Sequence, residues 1–161
     1  MKVMILAGGY GSRISDVDQN IPKPMIRLDD KPIIEHIINI YKSYNLKKFI
    51  LLTGYKNLEI KKFFTKNSKN FSDCEIEIFN TGIHTLTGSR ILKAKKFITE
   101  DNFMVTYGDG LSDINIDKLI KFHKKSKTTF HYAMLPPFSL STHLLLAIFV
   151  CFPLISLQPF L

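Results

Sequence analysis

Tryptophan is absent, cysteine occurs twice and arginine three times in 161 residues. Cys74 and Cys151 are too few for a disulfide framework or a cysteine-rich zinc site. The five histidines, at 36, 84, 123, 131 and 143, lack metal-ligand spacing and suit core or surface roles. No GxSxG or comparable nucleophile motif is present. The apolar run after Lys2 stops at the first glycines, too short for a secretory signal, so the cytoplasm is the expected location. Long basic blocks are missing too. The formal charge is +8, yet the lysines come as singles and pairs such as Lys47-Lys48 and Lys124-Lys125. That pattern describes a solvated helix surface, argues against a nucleic-acid partner and leaves a field that attracts anionic phosphates.

Charge is itself missing from one end. All 22 Lys and Arg and all 14 Asp and Glu stand at or before Lys127, so residues 128–161 carry none. Three readings of 138–161 compete. As a membrane anchor the run is long enough, but Pro153 and Pro159 interrupt it and no basic flank follows, so a membrane is not an expected partner. As a buried helix or strand it belongs to the same domain. As a frameshifted or foreign end it explains why a Lys- and Asn-rich chain abruptly loses both, and this reading is preferred.

What is present before that point alternates. Strands are predicted at Val3–Leu6, Phe49–Thr53, Glu75–Phe79 and Phe103–Tyr107, each short, apolar or β-branched, and closed by a turn signal. Helices are predicted at Ile33–Tyr44, Asn57–Thr65, Gly88–Ile98 and Asp117–Lys125. In the first, Ile33, Ile34, Ile37, Ile38 and Tyr41 mark one face, with Pro32 at its first turn. Such alternation implies an α/β fold with a mostly parallel sheet between helical layers, and ligands in such sheets bind beyond the carboxyl ends of the strands.

Two motifs fall on that rim. Residues 5–13 read Ile-Leu-Ala-Gly-Gly-Tyr-Gly-Ser-Arg, with Pro22-Lys23-Pro24 soon after. Gly8, Gly9 and Gly11 allow positive φ and close approach to backbone N–H groups, and Arg13 and Lys23 add phosphate-binding charge. Neither GxxxxGK[ST] nor GxGxxG is satisfied, so this is not a standard phosphate loop. In Thr106-Tyr107-Gly108-Asp109-Gly110, an aspartate just past a strand suits Mg²⁺ held against a phosphate, although Asp-Gly is also common in plain turns. A third segment, residues 81–90, supplies hydroxyls, open backbone and Arg90. On its own Arg90 reads as an ordinary surface salt bridge.

Together these segments resemble the sugar-1-phosphate nucleotidyltransferases. The Thr-Gly-x-x-x-x-Thr-Gly-x-Arg and Tyr-Gly-Asp-Gly-x-x-Asp runs are most similar to the glucose-1-phosphate cytidylyltransferase branch. The resemblance covers residues 1–137. It implies a Rossmann-like three-layer α/β/α nucleotidyltransferase fold, C-terminally incomplete here. It also implies transfer of a nucleoside monophosphate, CMP from CTP, to glucose 1-phosphate with release of pyrophosphate. By similarity Leu6, Ala7, Gly8, Gly9 and Tyr10 line the nucleotide pocket, and Gly11, Ser12 and Arg13 hold the triphosphate. Lys23 contacts the reacting phosphate, Asp109 binds Mg²⁺ with Gly108 beside it, and Thr85 and Arg90 contact nucleotide. Arg13, Lys23 and Asp109 are then the catalytic set. Ser89 stands where the cytidylyl branch has a second glycine. The family's chain continues further, with a second metal-binding aspartate, a Glu-Lys-Pro-type lysine and a Gly-Gly segment for the sugar. The acceptor half is therefore not expected here, and a catalytically incomplete nucleotide-binding remnant is the alternative. The state of assembly, a homo-oligomer included, stays open.

Overall fold

Val3–Ala7, five consecutive apolar residues, form β1, buried along its whole length as a central parallel strand is. A small hairpin follows, β2 (Arg27–Leu28) against β3 (Lys31–Pro32), turning through Asp29 at φ 55°. Aspartate tolerates that left-handed backbone through its short polar side chain. Then come α1 (Ile33–Ser43), β4 (Lys48–Thr53), α2 (Asn57–Lys66) and β5 (Glu75–Asn80). The chain continues with α3 (Thr87–Ala94), β6 (Asn102–Tyr107), α4 (Ile116–Lys125) and β7 (Val150–Pro153). This is a computed structural model, and it describes residues 1–10, 21–126 and, as main chain, 150–153.

The main sheet runs β5-β4-β1-β6-β7, with the first four strands parallel and β7 antiparallel to β6. Alternate residues of each strand face opposite sides. Val3, Ile5, Ala7, Phe49, Leu51 and Met104 pack with α1, α2 and Ile116 of α4. Met4, Leu6, Ile50, Leu52, Phe103 and Val105 pack with Ala94 and Ile98. Helices thus cover both faces of the sheet, as the sequence predicts.

Handedness explains which helix goes where. The crossovers from β1 to β4 to β5 carry α1 and α2 on one face, and the return from β5 to β6 carries α3 on the other. Right-handed crossovers require that exchange when the strand order reverses. The reversal lies between β1 and β6, the place where a doubly wound sheet opens a crevice.

Three details differ from the sequence reading. The hairpin β2–β3 is too short to show alternation. The helix expected over Gly88–Ile98 starts at Thr87 and ends at Ala94, tightening into a 3₁₀ turn over Lys95–Phe97. Ile98 then turns extended and is buried in the core beside Ala94. Pro32 stands just before α1, closing β3, rather than within its first turn. Of 138–161 only β7 is described. The anchor and foreign-end readings otherwise lie outside the described residues, among which no helix is long and apolar enough to cross a membrane.

Opposite the rim, Asp73 ties α1 to the loop before β4. Lys42 Nζ lies 2.8 Å from Asp73 Oδ1, and Lys47 Nζ 3.4 Å from Oδ2. The hydrogen bond from Lys42 holds the Asp73 carboxyl down at about 2, against roughly 3.9 in an unfolded chain. Because the folded value is the lower one, the stabilisation is complete above the unfolded value and is lost as pH falls through about 2. An NMR titration is therefore expected to find the Asp73 carboxyl still ionised at pH 3. An ordinary carboxylate midpoint would show the triad to be absent in solution.

Candidate functional site

Strands β1, β4 and β6 end together at the rim, and the loops that leave them enclose a cavity of about 360 Å³. Its floor is Leu6 and Ala7, the last turn of β1, followed by Gly8, Gly9 and Tyr10. Lys23 and Pro24 close one side, and Tyr107 and Asp109 come from the end of β6. The opposite wall is Thr85, Leu86 and Thr87 at the entry to α3, with Arg90 behind them. A volume in this range suits a small ligand rather than a macromolecule.

Most residues singled out in the sequence therefore meet here. Leu6, Ala7, Gly8, Gly9, Tyr10, Lys23, Thr85, Arg90 and Asp109 all line the cavity. Gly108 does not line it but shapes it. A methyl on Gly108 would stand 3.0 Å from Leu6 O and 3.3 Å from Pro24 Cγ. The Lys23–Met25 3₁₀ turn thus packs down onto the end of β6, and this brings Lys23 to the loop after β1. Gly11, Ser12 and Arg13 lie outside the described residues.

Gly8 serves a different purpose from the one expected. Among the described glycines only Gly82 has positive φ, at 97°. Gly8 is glycine for want of space. A methyl there would overlap the Arg90 guanidinium and approach the Thr53 carbonyl carbon to 3.0 Å. Gly9 is exposed, and a methyl on it meets nothing within 4 Å, so its backbone is open to a ligand.

Arg90 is not a surface ion-pair residue. Only 5% exposed, it enters no ion pair among the described residues. Its Nη1 donates to Thr53 O (3.1 Å), Gly82 O (2.8 Å) and Thr81 Oγ1. Its Nη2 donates to Gly8 O (2.9 Å) and Ile83 O (3.1 Å). Burial draws its pKa below the usual arginine value, but a guanidinium stays charged in proteins. Sequence reasoning missed Gly54 and Thr53, which complete this arrangement with Gly82 of the 81–90 segment, although Thr53-Gly54 has the same strand-end glycine pattern as Ala7-Gly8. Thr85 is likewise engaged: its hydroxyl donates to Thr81 O (2.6 Å) and accepts from Lys93 Nζ (3.0 Å).

Tyr10, half-exposed, stands between two other rings at the mouth. Its centroid is 5.2 Å from Tyr55 and 5.9 Å from His84. The other described histidines are structural, His36 bonding Leu28 O and His123 bonding Asn102 Oδ1. Among the described residues, Asp109 is the single carboxylate on the cavity wall, and no group of three His, Cys, Asp or Glu able to hold a metal occurs. One carboxylate facing a cavity with cations opposite fits Mg²⁺, which keeps its waters and takes substrate phosphate oxygens. It does not fit a metal held by protein alone.

The chain is 41% identical over 142 residues to the probable glucose-1-phosphate cytidylyltransferase of Bacillus subtilis (strain 168), covering 77% of this chain and 56% of that one. It is 34% identical over 144 residues to the glucose-1-phosphate cytidylyltransferase of Salmonella typhimurium (strain LT2), with the same coverage. The crystal structure of HddC from Yersinia pseudotuberculosis superimposes with a TM-score of 0.70 at 26% identity, over 81% of this chain and 56% of that one. The chain thus spans little more than half the length of these relatives. The family model described as nucleotidyl transferase matches residues 2–137, from before β1 to beyond α4, and the chain belongs to that family.

Proposed function

We propose that this protein binds a nucleoside triphosphate, CTP, and transfers its nucleoside monophosphate to a sugar 1-phosphate, glucose 1-phosphate, releasing pyrophosphate. The observation that carries the reading is one cavity bounded by Gly8-Gly9, Lys23 and Asp109 at the reversal of strand order. The named activities of the Bacillus and Salmonella relatives support the choice of base and sugar. The cytoplasm, where nucleoside triphosphates are available, is the place for such a reaction.

Chemically the task is to bring two polyanions in line and to offset the charge that builds between them. A phosphate oxygen of the sugar phosphate forms a bond to the α-phosphorus, the α–β bridging P–O bond breaks, and pyrophosphate leaves with that electron pair. No covalent intermediate on the protein is needed, because the attacking oxygen is already ionised at neutral pH. The Gly8–Tyr10 backbone receives the nucleotide, and by the family resemblance Gly11, Ser12 and Arg13 hold the triphosphate. Lys23 offsets charge at the reacting phosphate. Asp109, beside Gly108, would hold Mg²⁺, which when bound neutralises phosphate oxygens. Tyr10, flanked by Tyr55 and His84, offers a planar edge against which a base can stack.

Calorimetry with CTP and Mg²⁺, paired with pyrophosphate release from each of the four triphosphates plus glucose 1-phosphate, tests this. Binding with turnover is expected, and Asp109→Asn should remove the Mg²⁺-dependent part of CTP binding. The short span relative to the relatives favours a second reading, a nucleotide-binding unit that needs further chain to receive the sugar. Binding without turnover would select it. No binding of any triphosphate would reject both.

A further inference from the structure

We infer that Arg90 is a positioning residue: it sets the shape of the glycine-rich loop and acts on nucleotide binding through that loop rather than through its terminal nitrogens. The inference rests on the nucleotide reading of the cavity.

Three loops that leave three different strands converge on one guanidinium. Gly8 follows β1, Thr53 ends β4, and residues 81–83 follow β5. Nothing in local sequence fixes these ends relative to one another. The sheet pairs the strand ends, and the guanidinium ties together the loops beyond them, with five protein acceptors on its two terminal nitrogens. Those two nitrogens carry four N–H groups, all committed to the protein, so neither has a donor left for a phosphate, and Nε–H is the one donor outside this set. The planar fork is what allows one side chain to bridge acceptors around it, and a lysine ammonium has only three donors on a single atom.

Two glycines make the slot. A methyl on Gly8 would overlap Nη1 and Cζ of Arg90, and one on Gly54 would stand 2.7 Å from Nη1. The Gly8 carbonyl that accepts from Arg90 also accepts from Tyr55 N at 3.2 Å. The direction of the Gly8-Gly9 peptide, which faces the cavity, is therefore held from behind. Buried without a carboxylate, the charge is tolerated only because carbonyl dipoles surround it. Losing one arm of the arrangement leaves the others undersatisfied, so the loop moves as a unit with the slot.

The test is a double-mutant cycle on the full chain. CTP affinity with Mg²⁺ is measured by calorimetry well below every variant's thermal midpoint, and the midpoint itself is measured by circular dichroism. Arg90→Ala and Arg90→Lys are expected to weaken CTP by about tenfold each, because lysine keeps the charge but not the fork. Gly8→Ala should weaken CTP in the native background yet add less than about twofold to Arg90→Ala, since the severe overlaps it creates are with the guanidinium and the Thr53 contact at 3.0 Å needs only a slight shift. Should Arg90→Ala fail to fold, Arg90→Lys and its double with Gly8→Ala carry the same comparison.

Near-native affinity in Arg90→Lys would overturn the inference in favour of direct charge on phosphate. Equal cost of Gly8→Ala in both backgrounds would also overturn it. So would a lowered midpoint with unchanged CTP affinity, the signature of a purely structural strut. If the native chain binds no CTP, the nucleotide reading itself fails and the role falls with it. The midpoint cycle would then still report whether Gly8 and Arg90 are coupled.

Discussion

Gly54→Ala is expected to lower the thermal midpoint by about 10 °C, equivalent to roughly 3 kcal/mol in a domain of this size. The added methyl would stand 2.7 Å from Gly82 O and 2.8 Å from Gly8 O, both backbone atoms, as well as 2.7 Å from Arg90 Nη1. A flexible side chain could swing aside, but two carbonyls held in separate loops cannot. Relief requires that the loop after β1 and the turn after β5 move apart. That movement strips acceptors from a buried guanidinium, so the packing cost and the lost hydrogen bonds add. CTP binding should fall with it, since the Gly8 carbonyl is one of the two displaced. Gly88→Ala is the control, because a methyl there meets nothing within 4 Å. A Gly54→Ala midpoint within about 2 °C of the native value would show that the rim is more compliant than close-packed backbone allows.

Lys23→Met is expected to weaken CTP by between about 10- and 100-fold while leaving the thermal midpoint nearly unchanged. Lys23 sits between two buried prolines, and the 3₁₀ turn it opens is closed by Met25 N to Pro22 O at 2.7 Å and Ile26 N to Lys23 O at 3.0 Å. Pro24 packs toward Gly108 at the end of β6. The backbone is thus fixed before any ligand arrives, and only side-chain freedom is lost on binding. No described protein group holds the Lys23 ammonium, in contrast to the Arg90 donors, so its charge remains for the ligand. Methionine keeps the apolar stem and removes only the charge. A loss of less than about threefold would remove Lys23 from the site, because a charge-assisted bond in a partly enclosed cavity contributes more than that.

How far each feature was legible depended on the range of the interactions behind it. The four parallel strands and four helices were readable from local pattern, since a buried strand must be apolar along its length and a surface helix must be apolar along one stripe. The β2–β3 hairpin was not, because two-residue strands have no period. Leu6 to Tyr10, Lys23 and Asp109 were recognisable as residue types at strand ends, and the parallel topology places strand ends on one rim. Arg90 was legible as an unusual arginine but its surroundings were not. Its acceptors come from residues 8, 53, 81, 82 and 83, and no spacing rule connects those positions.

By itself the sequence determined the layered α/β architecture and most of the described residues gathered at the rim, because periodicity and strand-end chemistry are local, and its motifs carried the resemblance to the family. Only the tertiary structure decided what Gly8 and Gly54 are for. For Gly8 the expected reason was backbone freedom and close ligand approach, and Gly54 drew no expectation at all. The observed reason is the volume of a guanidinium that arrives from a helix 82 residues away from Gly8 in the chain. Space of that kind exists only once β1, β4 and the loop after β5 are side by side.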